Sequence, residues 1–441
     1  MIRHLGRASE VRRSWWCIAV AAVAAVVVVA GAGVALSAQG GGAVRAADAA
    51  TPTTPSLGYS PRVVQRAYGV SPLLRDGVDG HGETVVLPET LPPGGGTSMR
   101  QAVAAFDKRN RLPPVDLKLG RALGFTGDSS VATGEEVQDV EMVHTIAPGA
   151  TISVMLVPFR AFAFPAGLPS LLRAAAGRGN VVSFSQSECE TKSCLSAAQL
   201  SSLNSALRYA RDRHVSVFAS SGDTGVAVWK FRGAGERGVR APASSPLVTG
   251  VGGTTLTVHT DGAYGSESVW NDDVPHASST GARLSAGGGG VSARYARPGY
   301  QDGLPLIGDH RGVPDVAGVA EPGMATVLVT DGRAHTYAGG GTSESAPLWA
   351  GIAALADQVA HRQLGFLNAG LYRIGHGPQY HRAFHDITQG NNAVTLPSGK
   401  NLDGYPARPG WDPVTGWGSP NAQVLVPLLG KEVRPGDGRG L

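Results

Sequence analysis

A serine that follows a glycine-rich run is a residue whose setting indicates chemistry. Residues 339–341 are three glycines, and Ser343 comes just before a segment from Ser345 onward that is typical of a helix. Small residues let a substrate backbone approach, and amides at a helix N-terminus favour a developing negative charge. Ser343 is therefore a candidate nucleophile. The alternative is a serine that only caps the helix, with Pro347 tolerated in the first turn.

Two carboxylates four residues apart provide a candidate base for that serine. Glu135 and Asp139 lie in a segment typical of a helix, where side chains at this spacing share one face with Cβ atoms about 5–6 Å apart. Two carboxyl groups this close resist double ionisation, so that one pKa rises and the pair shares a proton. Taken alone, the same spacing is also typical of a solvated acidic surface.

The histidines form no Ser-His-Asp pattern that stands out in the sequence. His81 leads directly into a strand-like segment, whereas a subtilisin-type histidine begins a helix, and His144 has no aspartate at an obvious spacing to orient it. A subtilisin-type enzyme that uses His81 or His144 nevertheless stays open as an alternative.

Strand-like and helix-like segments alternate around these residues. Strands are predicted at Thr84–Leu87, Thr151–Val157, Asn180–Ser185 and Val215–Ala219, and helices at Met99–Arg109, Glu135–Ile146, Leu168–Ala176, Ala197–Arg213 and from Ser345 onward. This order predicts an α/β fold in which a mostly parallel sheet carries helices on both faces.

Several motifs in the expected order resemble those of the sedolisins, which are serine-carboxyl peptidases with a subtilisin-like, doubly wound fold. The matching segments lie between about Tyr59 and Pro420. They are Gly341–Pro347, Glu135–Asp139 with Ala147–Ala150, Ser220–Gly225, Asp386–Gly390 and Gly410–Gly418, with Arg311–Asp315 and Gly252–Thr254 as further landmarks.

The resemblance implies a role for each matching residue of the site. Ser343 would be the nucleophile, Glu135 its general base and Asp139 the group that orients Glu135, while Asp223 would lie in the oxyanion hole. A carboxylic acid donates a hydrogen bond only when it is protonated, so the resemblance implies hydrolysis of peptide or protein substrates at acidic pH. A catalytically silent, sedolisin-like binding protein is the alternative.

The C-terminal motifs imply one Ca²⁺ site. Asp386 and Asp412 would supply carboxylate oxygens, and Ile387, Arg408 and Gly410 would supply backbone carbonyls, which are ligands that a hard cation prefers. Arg408 stands where the family often has glycine, and a left-handed backbone at this position would disfavour arginine. Turn and cap formation is the other role open to the two aspartates.

The sequence departs from the family pattern near its substrate-lining segment. Gln186 and Ser187 replace the usual Trp-Gly, so that substrate preference does not carry over. Cys189 and Cys194 follow, and they are expected to form a disulfide in an oxidising compartment unless they remain free thiols. Sedolisins usually carry a large pro-segment, whereas a linker stands here, so we expect unaided folding, a separate folding or activation partner, or a protein that is not a processed zymogen.

The N-terminal residues predict export. Residues 1–16 carry four arginines against one glutamate, which accounts for most of the formal net charge of +4. Residues 17–38 are apolar and, as a helix, would span about 30 Å, the hydrocarbon thickness of a bilayer. The charge pattern places the N-terminus inside and the rest outside, either anchored through residues 17–38 or secreted after cleavage of a signal peptide.

Composition limits the classes open to the remaining chain of this 441-residue protein. Hydrophobic residues at 42% can fill a large core, and charged residues are sparse at 16%. Beyond residue 16 no basic stripe remains to neutralise phosphates, which excludes a nucleic-acid-binding surface. We expect a Gly/Thr/Pro linker at 39–57, a sedolisin-like peptidase domain at 58–427 and a C-terminal tail at 428–441.

Overall fold

Eight strands form a mostly parallel central sheet in the computed structural model. The structure describes residues 55, 57–90, 96–158, 161, 167–228, 235–272 and 284–441. The basic segment 1–16, the apolar segment 17–38 and nearly all of the linker 39–57 lie outside the described residues. Within the described ranges, none of the helices is long and apolar enough to cross a membrane.

The central sheet confirms the predicted α/β class. Its strands are β1 (Thr84–Glu89), β2 (Asp116–Arg121), β3 (Thr151–Leu156), β4 (Val181–Phe184), β5 (Ser216–Ser220), β6 (Thr249–Val258), β7 (Tyr264–Val269) and β8 (Val316–Glu321). Their spatial order is β7-β6-β5-β4-β1-β3-β2, and β8 pairs with β6. Only the β6–β7 pair of this sheet is antiparallel.

The four strands that the sequence predicts are present as β1, β3, β4 and β5, but the edge strand β2 was not predicted. Asp116, Lys118 and Arg121 of β2 are exposed, and these charged side chains obscure the apolar pattern that marks an inner strand. Charged residues on an edge strand also oppose pairing with another chain.

The helices include all those expected around the site. They are α1 (Pro61–Ala67), α2 (Val70–Arg75), α3 (Met99–Asn110), α4 (Gly134–Ile146), α5 (Gly167–Ala176), α6 (Ala197–Asp212), α7 (Thr342–Ala360), α8 (Asn368–His376), α9 (Tyr380–Ala383) and α10 (Ala422–Glu432). Helix α7 begins at Thr342, three residues earlier than predicted, because Gly341 turns the chain into the helix at φ 82°. The predicted boundary at residue 427 falls inside α10.

Short antiparallel pairs surround the central sheet. They are Thr97–Ser98 with Val131–Ala132, Glu188–Cys189 with Arg240–Ala241, Ala227–Val228 with Glu236–Arg237, Gly290–Ala296 with His310–Val313, Ala325–Thr330 with Arg333–Ala338, Phe384–His385 with Ser419–Pro420, and Val394–Thr395 with Asn401–Leu402.

Helices α4 and α7, which carry Glu135 and Ser343, pass through the core. Every residue from Glu136 to Ile146 and from Thr342 to Asp357 is buried. The two helices approach closely because Gly351 has no side chain: a Cβ atom there would lie 2.6 Å from the Cβ of Ile146. A helix that is buried on all sides is held by packing, so its first turn is a rigid support for chemistry.

A buried ion pair joins the strands to the C-terminal helices. Arg311 and Asp315 are both 0% exposed, and two parallel hydrogen bonds connect the guanidinium to the carboxylate. Asp315 also accepts hydrogen bonds from the Gly250 amide at 2.8 Å and from the Tyr372 hydroxyl at 2.9 Å. The carboxylate therefore holds β6 and α8 together.

We predict that Arg311→Met lowers the free energy of unfolding by about 3–5 kcal/mol, because it leaves the carboxylate of Asp315 buried without its cation. Urea unfolding of the two proteins measures this difference. The double variant Arg311→Met/Asp315→Asn leaves no buried charge and should be less unstable than the single variant. A loss below about 1 kcal/mol in Arg311→Met would contradict the prediction.

Candidate active site

Ser343 is the second residue of α7 and lies where a glycine-rich loop ends. The Gly341 amide donates to the Ala320 carbonyl at 2.9 Å, which ties the loop to β8. Ser345, two residues further along α7, donates its hydroxyl to the carbonyls of Gly318 and Val319. Ser343 is 7% exposed, so its hydroxyl is held in a site that is largely shielded from water.

Glu135 lies in the first turn of α4 and hydrogen-bonds to Ser343. Its neighbour Glu136 forms a capping box with Thr133 and so satisfies the helix terminus, which leaves Glu135 available to the serine. Burial raises the pKa of Glu135 to about 7, with smaller contributions from the charges of Asp223 and Glu136. The hydrogen bond with Ser343 acts in the opposite direction.

Asp139 follows one turn later on α4 and is 0% exposed. The Ser185 hydroxyl donates to its Oδ2 at 2.5 Å and lies 3.2 Å from the Ser343 carbonyl oxygen. Burial and the nearby charge of Glu135 raise the pKa of Asp139 well above its usual range. Ser185 therefore connects the carboxyl of Asp139 to the backbone of the candidate nucleophile.

Glu89, the last residue of β1, extends this group of carboxyls and was missed in the sequence. It is 1% exposed, and neither of its carboxylate oxygens has a hydrogen-bond donor among the described residues. Two buried carboxyls that are close enough to interact resist double ionisation, so the Glu89–Asp139 pair favours a retained proton. Burial and the charge of Asp139 raise the pKa of Glu89 well above its usual range. An acidic residue at the carboxyl end of a buried parallel strand is the signal that could have revealed it.

Asp223 lies against the residue that precedes the serine. Its Oδ1 accepts hydrogen bonds from the amide and the hydroxyl of Thr342, at 2.8 and 2.7 Å. A Cβ on Gly341 would come within 3.0 Å of its Oδ2. Asp223 and Glu135 are close enough that the charge of the first raises the pKa of the second. The structure thus brings together all four predicted residues, Glu135, Asp139, Asp223 and Ser343.

Gln138 joins helix α4 to the glycine-rich loop that precedes Ser343. It was also missed in the sequence. Its amide nitrogen donates to the Gly340 carbonyl and its amide oxygen accepts from the Gly340 N–H, both at 3.0 Å. The helix that carries Glu135 therefore holds the loop that leads to Ser343. Glu344, fully buried beside Ser343, accepts a hydrogen bond from the Met324 amide, and the Met324 carbonyl in turn accepts one from the Gly339 amide of the loop at 2.8 Å.

The structure separates both candidate histidines from Ser343. His81 is exposed on a turn. His144 is 0% exposed, and its Nε2 lies 3.1 Å from Asp107 Oδ1 and 2.9 Å from the Pro113 carbonyl. The aspartate beside His144 has no obvious spacing in the sequence, because Asp107 comes from α3. His144 nevertheless lies nine residues along α4 from Glu135, about 13 Å further down the helix axis.

The predicted calcium ligands occupy one loop cluster. Asp386 accepts a hydrogen bond from the Gly410 amide at 3.0 Å, and Asp412 accepts one from the Arg408 amide at 2.9 Å. The second oxygen of Asp386 is buried without a donor among the described residues, as expected of an oxygen that faces a cation. Ile387 is buried beside it. Arg408 is not among the residues with a positive φ, so its backbone imposes no strain on arginine.

Cys189 and Cys194 form the expected disulfide, with their Cα atoms 5.8 Å apart. Together with Glu188, they are the single cluster of at least three His, Cys, Asp or Glu ligand atoms within 4.8 Å in the described part of the chain. Because both sulfurs are used in the disulfide, this cluster offers no thiolate to a metal.

Known proteins resemble this chain over most of its length, although no family model matches it. Kumamolisin of Bacillus sp. (strain MN-32) is 34% identical over 84% of this chain and 63% of its own length. Sedolisin of Pseudomonas sp. (strain 101) is 36% identical over 45% of this chain and 32% of its own. Human tripeptidyl-peptidase 1 is 32% identical over 53% and 41%. The chain thus spans less than two thirds of the length of these curated relatives.

A solved structure shares the fold. Pseudomonas sedolisin, a serine-carboxyl proteinase solved with two molecules of pseudo-iodotyrostatin, superposes with a TM-score of 0.70 at 28% identity. The match covers 85% of this chain and 98% of that one. With these relatives, this shared fold and the ordered motifs of its sequence, the chain belongs to the sedolisin family.

Proposed function

We propose that the chain is a serine peptidase that hydrolyses peptide bonds of peptide or protein substrates at acidic pH. The observation that carries this proposal is the approach of the Glu135 carboxyl to the buried Ser343, close enough for the serine hydroxyl to lower the pKa of the glutamate, with Asp223 against the adjoining Thr342. A nucleophile, a base and a candidate oxyanion donor are thereby present around one position.

In this mechanism Glu135 removes the proton from Ser343 as its Oγ attacks the substrate carbonyl carbon. A protonated Asp223 donates a hydrogen bond to the oxyanion that forms. The C–N bond then breaks, and Glu135 returns its proton to the departing amine. Water repeats the sequence on the acyl-serine, with Glu135 again as the base.

The carboxyls of Asp139 and Glu89 affect how much negative charge lies beside Glu135. Burial raises the pKa of both Asp139 and Glu89, so the pair retains a proton and Asp139 places little negative charge beside Glu135. The Ser185 hydroxyl orients Asp139. Asp139 and Ser185 are positioning residues, since each acts on the Ser343 hydroxyl through another group.

We predict that Ser343→Ala lowers kcat by about 10⁴-fold or more, because the covalent route is lost. Glu135→Gln keeps the shape of the side chain but cannot accept the proton, so a similar loss is expected. Ser201→Ala, at an exposed serine of α6, is the control for the substitution itself and should keep the full activity. Cleavage of a mixed peptide library measures all three. Activity of Glu135→Gln equal to that of the wild type would contradict the assignment of the base.

The pH profile tests the proton assignments. The reactive form needs an ionised Glu135 and a protonated Asp223, and carboxylic acids hold their protons in acid. These two requirements oppose each other: activity rises as Glu135, whose pKa is about 7, loses its proton, and falls as the oxyanion-hole carboxyl loses its own, so the reactive form is most populated on the acid side of the Glu135 pKa. We therefore predict that kcat/KM, measured from pH 3 to 8, is highest in the acidic range. Full activity at pH 8 with loss at pH 4 would contradict the proposal.

We also propose that one Ca²⁺ binds at Asp386 and Asp412, with the backbone carbonyls of Ile387, Arg408 and Gly410. The unpartnered buried oxygen of Asp386 supports this site. When bound, the ion would neutralise two carboxylates and fix the loops that they join. The site would therefore contribute stability.

We predict that chelation lowers the melting temperature of the wild-type protein and that added Ca²⁺ restores it. In Asp386→Asn, which removes one ligand charge, chelation should have a much smaller effect. Metal analysis of the folded protein gives the occupancy. An unchanged melting temperature after complete chelation would contradict the site.

The location of the protein is proposed from its sequence alone. Residues 17–38, which lie outside the described residues, would either anchor the chain in a membrane or be removed from a secreted protein. The disulfide between Cys189 and Cys194 supports an extracytoplasmic compartment. A separate folding or activation partner remains part of this proposal.

A further inference from the structure

A tyrosine that the mechanism above does not use contacts the start of the helix that carries the base. The hydroxyl of Tyr337 donates to the Gly134 carbonyl oxygen at 2.8 Å, and Gly134 is the first residue of α4. The peptide bond that follows this carbonyl is planar and leads directly to the nitrogen of Glu135. A hydrogen bond that holds the carbonyl oxygen of Gly134 therefore also holds the backbone of Glu135.

The absence of a side chain at Gly134 makes room for this hydroxyl. A Cβ at this position would lie 3.0 Å from the hydroxyl oxygen of Tyr337, which is closer than such atoms normally pack, and 3.5 Å from the nearest ring carbon. Glycine is a poor helix former, and Gly134 is not among the glycines with a positive φ, so its backbone conformation does not require glycine. The contact with Tyr337 is the physical reason for a glycine here.

Tyr337 belongs to a hairpin that lies along α4. It is on the second strand of this hairpin, which spans residues 325–338. On the first strand, the Val327 amide donates to Glu141 Oε2 at 3.0 Å. Glu141 follows Gly134 by two helical turns, which is about 10 Å along the helix axis. Two hydrogen bonds at this separation fix the direction of the hairpin along α4.

The strand that carries Tyr337 continues into the glycine-rich loop and reaches Ser343. Gln138 already joins this loop to α4, and Tyr337 provides a second connection. The two connections lie on either side of Glu135 in α4, at Gly134 before it and at Gln138 after it. The base is therefore held from both sides by the segment that carries the candidate nucleophile.

The hydroxyl of Tyr337 keeps its proton over the range in which carboxyls titrate. Burial raises the pKa of Tyr337 above its usual range, and three nearby carboxylates raise this pKa further, those of Glu141, Glu344 and Glu135. The usual pKa of a tyrosine, about 10, is already far above that of a carboxyl. The hydrogen bond to Gly134 is thus available in both protonation states of Glu135.

From these contacts we infer that Tyr337 is a positioning residue for the base, which places Glu135 against the Ser343 hydroxyl by holding the Gly134 carbonyl. The inference rests on the proposed peptidase function and deepens it by adding a residue on which the base depends. The approach of the Ser343 hydroxyl lowers the pKa of Glu135. A displaced Glu135 should therefore have a higher pKa and remove the serine proton less well.

Tyr337→Phe removes the hydroxyl and keeps the ring. We expect kcat on a peptide that the wild type cleaves to fall about five- to tenfold, with KM changed less than about twofold, because the base is displaced while the substrate contacts remain. The infrared carboxyl band of Glu135, identified in each background by its loss in Glu135→Gln, should disappear with a midpoint at higher pH than in the wild type. Tyr295→Phe is the matched control. It removes a hydroxyl that donates to Asn204 at 2.9 Å, and it should leave kcat and the midpoint unchanged.

A second pair of variants uses the space at Gly134. Gly134→Ala places a methyl group against the Tyr337 hydroxyl, so it should lower kcat and raise the Glu135 midpoint in the same way. In Gly134→Ala/Tyr337→Phe the hydroxyl is gone, and the nearest ring carbon is at an ordinary contact distance. This double variant should be no less active than Gly134→Ala alone, whereas two independent losses in kcat would multiply. Melting temperatures show whether each variant folds.

The inference is overturned if Tyr337→Phe folds and its Glu135 midpoint is unchanged or lower, whether or not kcat falls, because a lower kcat alone would indicate only a structural role. Multiplied losses in the double variant would also overturn it. If Tyr337→Phe does not fold, Gly134→Ala decides by the same midpoint. If the wild type cleaves no peptide, the proposed function fails by itself, and the midpoints, which need no turnover, still test whether Tyr337 positions Glu135.

Discussion

The exclusion of water where α4 meets α7 is the constraint on which the rest of the site depends. Glu135 and Ser343 lie in the first turns of two helices that are buried on nearly all sides. Gly351 permits their close approach, and Gln138 fixes the glycine loop to α4. Because these carboxyl groups are largely buried, they retain protons that they would lose readily in solvent, and each interaction among them has a larger effect.

Burial of carboxyl groups extends beyond the site and bears on the pH at which the fold is stable. Burial raises the pKa of Glu344 to about 8 and that of Asp357 to about 7. A carboxyl whose pKa is raised by folding stabilises the protein fully below its unfolded pKa, and this contribution is lost as the pH rises through the folded value. The fold is thus suited to acid for the same physical reason as the site, and the low charge density of the sequence agrees with this.

Much of the fold and of the candidate site could be predicted from the sequence, and the failures have physical causes. Ser343, Glu135 and Asp139 lie in local patterns, and β1, β3, β4 and β5 are apolar runs, so each can be recognised within a short window. Glu89 and Gln138 were missed because their partners lie far away in the chain. Asp107 reaches His144 from another helix for the same reason. The proximity of Arg240 to Gly222 and Asp223 likewise cannot be recognised from the spacing of these residues in the sequence.

The central claim is that the setting of Glu135 between α4 and α7 raises the pKa of its carboxyl to about 7, well above that of a glutamate in water. Infrared difference spectroscopy of the protonated carboxyl C=O band, comparing the wild type with Glu135→Gln across pH 3–9, measures this directly. The account predicts a band that is missing from the variant and disappears in the wild type with a midpoint near pH 7. A Glu135 band that disappears near pH 4, as for a glutamate in water, would contradict it.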